Sequence, residues 1–241
     1  MGPAPFAREL FSDRYICMLD RACQGAYIAI VTKTMTTTEH RQKRAAKLGR
    51  PRAFDRDQAL ERALDVFWRK GYEGASLSDL TEAMGINPPS LYAAFGNKEE
   101  LFGEALNRYM ERHAEVLREV LARPKARDAI EALLTCTADA LTDKSTPPGC
   151  LLVQGISGCG DHAQCIRNEL CKRRAANEKT IRERLKRAKA ESDLPKDADP
   201  AALSRFVATV AEGMAVQAAG GASRAELRRI AETAMAAWPR D

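Results

Sequence analysis

Residues 76–102 read SLSDLTEAMGINPPSLYAAFGNKEELF, and they contain three successive helix starts, the first two separated by one tight turn. Ser76 and Asp79 have the spacing of a capping box, in which each residue accepts a hydrogen bond from the other's amide. A helix is therefore expected to begin just after Ser76. Gly85 suits the left-handed position that ends a helix, and Asn87 can cap the next helix, which has proline at its first position.

A third helix start follows at Asn97, where Glu100 completes a second capping box. Lys98 lies in the first turn of that helix. A cation at this end opposes the helix macrodipole, so we expect Lys98 to meet a negative group such as a phosphate.

Apolar residues recur with a helical period in each of these segments, so each helix is expected to bury one stripe. The three sets are Leu60, Leu64, Phe67 and Trp68, then Leu77, Leu80 and Met84, then Ile86, Leu91 and Phe95. The start and outer face of the third helix are left with Asn87, Pro88, Pro89, Ser90, Tyr92, Ala93 and Ala94. Two helices joined by such a turn predict a helix-turn-helix, whose second helix enters the DNA major groove.

Three motifs resemble the DNA-binding domain of the TetR/AcrR family of one-component bacterial repressors. They read GRPR (49–52), ALDVFWRKGYEGASLSDLTEAMGI (63–86) and SLYAAFGNKEELF (90–102). The resemblance implies that Tyr92 and Lys98 contact phosphates and that Pro89, Ser90 and Ala93 lie against base edges. The full predicted DNA-binding set is Arg50, Arg52, Ser76, Asn87, Pro88, Pro89, Ser90, Tyr92, Ala93 and Lys98.

Pro88, Pro89 and Ala94 depart from the usual pattern because they leave the reading helix with few hydrogen-bonding side chains. Shape and backbone contacts are therefore expected to carry a larger share of recognition.

Positive charge is concentrated ahead of the first helix. Residues 35–52 carry six basic groups and one acidic group, whereas the whole chain has a formal net charge of +5. We expect this segment to be a flexible arm that orders along phosphates or in a minor groove. The alternative is a solvated basic tail.

The expected organisation has four parts. Residues 1–34 are interpreted as a non-native or disordered extension, because Met35 opens the basic arm that continues to residue 53. Residues 54–98 form the helix-turn-helix domain, and residues 99–241 form a helical effector-binding and dimerisation domain. We expect a cytoplasmic, all-α protein, since there is no secretory signal and no apolar run near the roughly 20 residues that span a bilayer.

Beyond Tyr109 the patterns predict further helices, ending about at Leu121, over about 127–141, and across 150–158, 161–191, 201–219 and 223–238. Within the charged segment, Glu178 and Arg182, and likewise Glu183 and Arg187, have the spacing of stabilising ion pairs.

The last two predicted helices are apolar and rich in alanine, and they resemble the pair that forms a four-helix dimer interface in the TetR/AcrR family. A dimer is also mechanically useful, because two reading heads can bind a palindrome together. Alternatively, Phe206, Val207, Val210 and Met214 only complete the core of one chain.

The family resemblance implies a small-molecule effector whose binding releases DNA by a shift between two states. Candidate pocket walls are Leu134, Leu152, Val153, Ile156 and Phe206. Ordinary core packing explains the same residues, because an apolar wall and an apolar core have the same composition.

Four cysteines are candidate redox residues, namely Cys150, Cys159, Cys165 and Cys171. They are buried small hydrophobes, or thiol sensors of oxidants or electrophiles, or metal ligands. A sensor needs an accessible thiolate of low pKa, and Cys171 has the basic neighbours Lys172, Arg173 and Arg174. Metal binding has less support because the chain has no CxxC, although His162 lies three residues from two of the cysteines.

An enzyme is the alternative from another class. The chain has three histidines, no glycine-rich phosphate loop and no nucleophile elbow. No catalytic residue, cofactor or metal is therefore expected. The predicted partners are double-stranded DNA, a small-molecule effector and a second copy of the chain, without a membrane.

Overall fold

The computed structural model describes residues 54–157 and 163–239, and in this part of the chain all regular structure is helical. The helices are α1 (Arg56–Gly74), α2 (Leu77–Met84), α3 (Pro88–Phe95), α4 (Lys98–Leu121), α5 (Ala126–Leu141), α6 (Leu151–Ser157), α7 (Gln164–Ala190), α8 (Pro200–Ala219) and α9 (Arg224–Ala236). The all-α prediction is confirmed, and the predicted helix ends agree to within a few residues.

The predicted caps are present at the start of the helices. The Ser76 Oγ accepts from the Asp79 amide at 3.0 Å, and the Asp79 carboxylate accepts from the Ser76 amide at 3.0 Å. The Asn87 side chain accepts from the Ser90 amide at 2.9 Å. Gly85 ends α2 with φ 68° and ψ 32°, the left-handed conformation that the turn requires. These local contacts confirm the sequence interpretation of the turn.

A break at Gly71 bends the end of α1. This residue has φ 71° and ψ 176°, which a residue with a side chain rarely adopts. The bend carries Tyr72 back onto the core, where its ring lies 6.3 Å from Phe67 and 5.3 Å from Phe102 between centroids. The sequence patterns did not predict this break.

The core of the reading head is continuous with the helices that follow it. The stripe of α1 is buried together with Leu80, Met84, Leu91 and Phe95, and the cluster extends through α4 into α6 and the start of α7. Leu77 corrects the predicted stripe of α2, because 37% of it is exposed. It is the first residue of a short helix, so the helical period alone overestimates its burial.

A second packing unit joins α5, α7, α8 and α9. The buried Asp139 of α5 accepts from Arg228 of α9 at 2.9 and 2.7 Å. Asp193, in the loop after α7, accepts from the Ala126 amide at 2.6 Å and thereby caps α5. The α5 cap comes from a residue far away in sequence, since Lys125 at the N-cap position supplies no side-chain bond.

The ion pairs predicted along α7 are not the ones that form. Glu178 instead pairs with Arg205 of α8 at 3.0 Å, and Glu183 pairs with Lys186 at 3.0 Å. At Glu178 the partner on the neighbouring helix is preferred to Arg182 of the same helix, because the packing of α8 brings Arg205 within hydrogen-bond distance.

Among residues 54–157 and 163–239, no helix is both long and apolar enough to cross a membrane.

Candidate DNA-binding surface

The outer face of α3 is exposed, as the sequence predicts. Asn87, Pro88, Pro89 and Ala93 are exposed, and 50% of Tyr92 is accessible to solvent. Ser90 is half-buried at the same end of the helix.

Ala94 is a correction to the predicted outer face. It is half-buried and packs against the core, because it lies on the side of α3 that faces α1.

The start of α3 offers side chains rather than free amides. Pro88 and Pro89 have no N–H, and the Ser90 amide is already bonded to Asn87. Any contact of this end with DNA must therefore use side chains, namely the hydroxyls of Ser90 and Tyr92 and the apolar rings of the prolines.

The start of α2 is different, because its first-turn amides lack intrahelical partners and have no proline. The Ser76 hydroxyl oxygen accepts from the Asp79 amide within the capping box. Lys70 bonds Asp79 at 2.7 Å. That bond and those from Ser76 lower the pKa of Asp79 to about 2, so the box stays ionised and intact at neutral pH.

Lys98 already has partners within the chain. Its Nζ lies 4.6 Å from the centre of the Tyr72 ring, a cation–π contact, and burial lowers its pKa while the nearby Glu73 opposes this effect. A phosphate is thus not needed to explain a lysine in the first turn of α4. Its predicted role in phosphate binding remains a prediction.

Arg56 was missed by the sequence interpretation. Its guanidinium donates to both Glu104 oxygens at 2.6 and 2.7 Å and to the Ala94 carbonyl at 3.1 Å, and it lies 4.4 Å from the centre of the Phe95 ring. Arg56 therefore ties the end of the reading helix α3 to α1 and α4. The sequence did contain a signal for Arg56, because it is a cation in the first turn of α1, as Lys98 is in the first turn of α4.

Arg50 and Arg52, with the rest of the predicted arm, lie outside the described residues.

The candidate effector residues lie in different environments. Leu134 is fully buried, Leu152 belongs to the core shared with the reading head, and 41% of Phe206 is exposed. Val153 is half-buried, and the side chain of Ile156 is outside the described part. Helix packing directs Phe206 outward and Leu152 into the core of the head, and the predicted role of the five residues in effector binding stays a prediction.

A groove between α4 and α7 lies beside the reading head, with a volume of about 330 Å³. Its floor is formed by the apolar residues Phe102, Leu106 and Ile166, and polar residues including Glu99 and Asn168 surround it. None of the predicted effector residues belongs to it.

The cysteines differ in their surroundings. Burial raises the pKa of Cys150, whose Sγ accepts from the Tyr109 hydroxyl at 3.1 Å. Hydrogen bonding to Glu99 raises the pKa of the exposed Cys165. Both thiols therefore lack the low pKa that the sensor hypothesis requires. Cys171 is exposed, and Cys159 lies outside the described residues.

Acidic, histidine and cysteine side chains come together in no group of three that could hold a metal, as far as the described residues extend.

A buried three-helix core, a tight turn and an outward-facing third helix define a helix-turn-helix DNA-binding protein. Residues 59–105 match the bacterial regulatory proteins of the tetR family, and residues 124–234 match a tetracyclin repressor-like C-terminal domain. The chain belongs to the TetR family of bacterial transcriptional regulators.

Known relatives cover most of the chain. It is 37% identical over 193 residues to the transcriptional repressor ComR of Escherichia coli (strain K12), which covers 79% of this chain and 92% of ComR. A structure of the regulator CifR, with cysteines substituted and in complex with 26-base-pair double-strand operator DNA, is 47% identical with a TM-score of 0.76. The matched region covers 79% of this chain and 100% of the CifR chain.

A TetR regulator from Rhodococcus sp. RHA1 is 41% identical, with a TM-score of 0.53, and covers 77% of this chain and 100% of its own.

Proposed function

We propose that this regulator is a repressor that binds a palindromic operator as a homodimer and is released by a small-molecule effector. The outward face of α3 is the observation that carries the proposal, because its exposed residues follow a capped turn and are not part of the core that the described residues form. The operator complex of CifR and the repressor activity named for ComR support the same role.

Reading of DNA by this surface can be tested at Tyr92. Tyr92→Ala removes the largest exposed side chain of α3 without opening the core, so folding is expected to be unchanged. Binding to a labelled palindrome from the region upstream of the gene should weaken at least tenfold, measured by fluorescence anisotropy. Tyr92→Phe isolates the hydroxyl contact, and Thr180→Ala on the exposed side of α7 is the matched control. Unchanged binding by Tyr92→Ala would contradict the proposed reading surface.

We assign the dimer interface to α8 and α9. Among residues 54–157 and 163–239, these helices carry most of the exposed large apolar side chains, with accessible fractions of 41% for Phe206, 57% for Val216 and 36% for Ile230. On the same face of α8, a side chain added at Gly213 would meet nothing within 4 Å. Glycine inside a helix costs roughly 1 kcal/mol relative to alanine, so a close approach by a second copy would account for it.

Gly213→Leu tests this interface because the single chain has room for the added side chain. The variant should keep its helical content but lose the dimer in sedimentation and bind the palindrome more weakly. Ala175→Leu on the outer face of α7 is the matched control and should remain dimeric. A dimeric Gly213→Leu protein would refute the assignment.

We assign the effector site to the groove between α4 and α7. Its apolar floor with a polar rim is the usual character of a ligand pocket. A ligand seated there would separate α7 from the helix that carries the reading head. Gly103 borders the groove and a side chain added there meets nothing within 4 Å, so Gly103→Leu should fill the groove without disturbing the fold.

The apolar dye anilinonaphthalene sulfonate serves as the probe, because the effector is unidentified. Dye fluorescence with Gly103→Leu should fall well below that of the parent, while binding to the palindrome is retained. Equal fluorescence would place the site elsewhere.

A further inference from the structure

Helix α7 carries a large excess of positive charge compared with the other described residues. It has ten basic and three acidic residues, whereas the other described residues together have more acidic than basic groups. The largest positive charge density in the described residues is therefore on α7 and not on the reading helix.

Seven of the ten cations of α7 form two groups. Three arginines are engaged inside the fold: Arg173 with Glu169 and Asn107, Arg174 with Glu212, and the buried Arg184 with backbone carbonyls at the end of α4. Their role is structural.

The second group lies on the side of α7 opposite its buried residues, where the lysines are exposed and Arg182 is half-buried. We call Lys172, Lys179, Arg182 and Lys186 the α7 basic stripe. Its three lysines repeat every seven residues, which places them on one line with about 10 Å between neighbours. The side chains of Lys172 and Lys186 are 79% and 57% exposed.

Acidic groups of the chain neutralise the α7 basic stripe only in part, because two of its four cations are ion-paired. Lys172 lies 3.8 Å from Glu169, and Lys186 lies 3.0 Å from Glu183. Lys179 and Arg182 form no ion pair with any described residue. The hydrogen bond from Lys186, and then the charges of Lys186, Arg182 and Lys179, lower the pKa of Glu183, which shows that several cations surround this one carboxylate.

The chemistry of the stripe favours a polyanion over a protein or a membrane. No large apolar side chain is exposed on the described residues of α7, and Ala175 lies between the first two lysines. Protein interfaces need buried aromatic or aliphatic anchors, and membrane-bound helices need an apolar face. A row of cations that has neither apolar anchors nor an apolar face is suited to bind phosphates, because binding releases counterions from the nucleic acid. The stripe from Lys172 to Lys186 is about 21 Å long, which corresponds to roughly six base pairs of duplex.

The direction of α7 decides which duplex it meets. Arg173 bonds Asn107 in the first half of α4, and Arg184 bonds the Leu121 carbonyl at the end of α4. The two helices thus run parallel, and the stripe leads away from the reading head. We propose that the α7 basic stripe binds the phosphate backbone of a second DNA duplex while the reading heads hold the operator. This inference rests on the proposed operator binding, and it makes the regulator a bridge between two DNA segments.

A capture assay with the full chain tests the bridge. Operator duplex on beads is saturated with protein, and a fluorescent duplex without the operator is added at low and high salt. The stripe variant combines Lys172→Gln, Lys179→Gln and Lys186→Gln. The control variant removes the same charge from exposed positions outside the stripe through Arg118→Gln, Lys144→Gln and Lys196→Gln.

The parent and the control should capture the second duplex, and the stripe variant at least tenfold less. Losing three phosphate contacts should also lower the exponent of the salt dependence by about 2.7. All three proteins should bind the operator alone within twofold of one another. If the stripe variant captured as much of the second duplex as the parent, or if the control lost as much capture as the stripe variant, the proposed binding by the α7 basic stripe would be overturned. Loss of operator binding by the parent would overturn the proposed function and the bridge together.

Discussion

Arg56→Met is expected to loosen the reading helix without disturbing the reading surface itself. Methionine keeps the length and helix propensity of the arginine stem but removes the guanidinium. The change eliminates the bonds to Glu104 and to the Ala94 carbonyl, as well as the contact with the Phe95 ring.

The size of the effect follows from these three contacts. A half-exposed ion pair contributes up to about 1 kcal/mol, and the Arg56 and Glu104 side chains are 31% and 37% exposed. A hydrogen bond from a cation to a carbonyl adds about 1.5 kcal/mol, and a partly exposed cation–π contact about 0.5 kcal/mol. After allowance for solvent exposure, the free energy of unfolding should fall by about 1.5–2.5 kcal/mol. Glu104→Gln leaves the other two contacts in place and should cost about 0.5 kcal/mol.

Urea denaturation followed by circular dichroism measures these changes, at one fixed protein concentration because a dimer's stability depends on it. The variant should also bind the palindrome several-fold more weakly, because α3 is less firmly held. A loss below 0.5 kcal/mol for Arg56→Met, or an equal loss for both variants, would refute the assigned role of Arg56.

Three further predictions follow from individual contacts. Arg184→Met should lower the free energy of unfolding by about 2–4 kcal/mol, because it leaves carbonyls at the end of α4 unbonded, while Arg187→Met should change it by less than about 0.5 kcal/mol; equal losses in urea titration would contradict this. Ser76→Ala should cost about 1 kcal/mol through loss of the cap, and a neutral result in the same titration would contradict the capping box. Glu99→Gln should speed alkylation of Cys165 several-fold at pH 8, because the Glu99 carboxylate raises the pKa of the thiol, and the parent rate should rise with pH above 8. Mass spectrometry of the labelled peptide measures both rates, and equal rates for the variant and the parent would contradict this effect of Glu99.

Much of the fold can be read from short segments because its signals are local. The cap at Ser76, the left-handed Gly85 and the start of α3 depend on residues three or four positions apart, so no distant part of the chain can change them. The outward position of Tyr92 follows from the helical period once Leu91 and Phe95 are placed in the core. These patterns were sufficient to predict the all-α class and the candidate DNA-binding surface.

Contacts between distant segments were not predictable in this way. A helical period gives the angle between residues of one helix, but not the direction in which a neighbouring helix lies. Phe206 could therefore be a pocket wall, a core residue or part of an interface, and the packing of α8 against α7 and α9 left it exposed. The same reason explains why Leu152 joined the core of the reading head.

Sequence alone established the helices, their caps and the turn, because those depend on neighbours along the chain. The folded arrangement established the link from Arg56 to Glu104 and the cap that Asp193 places on α5, because each joins residues tens of positions apart. It also established that the lysines of α7 point outward together, since the opposite side of that helix is covered by its neighbours.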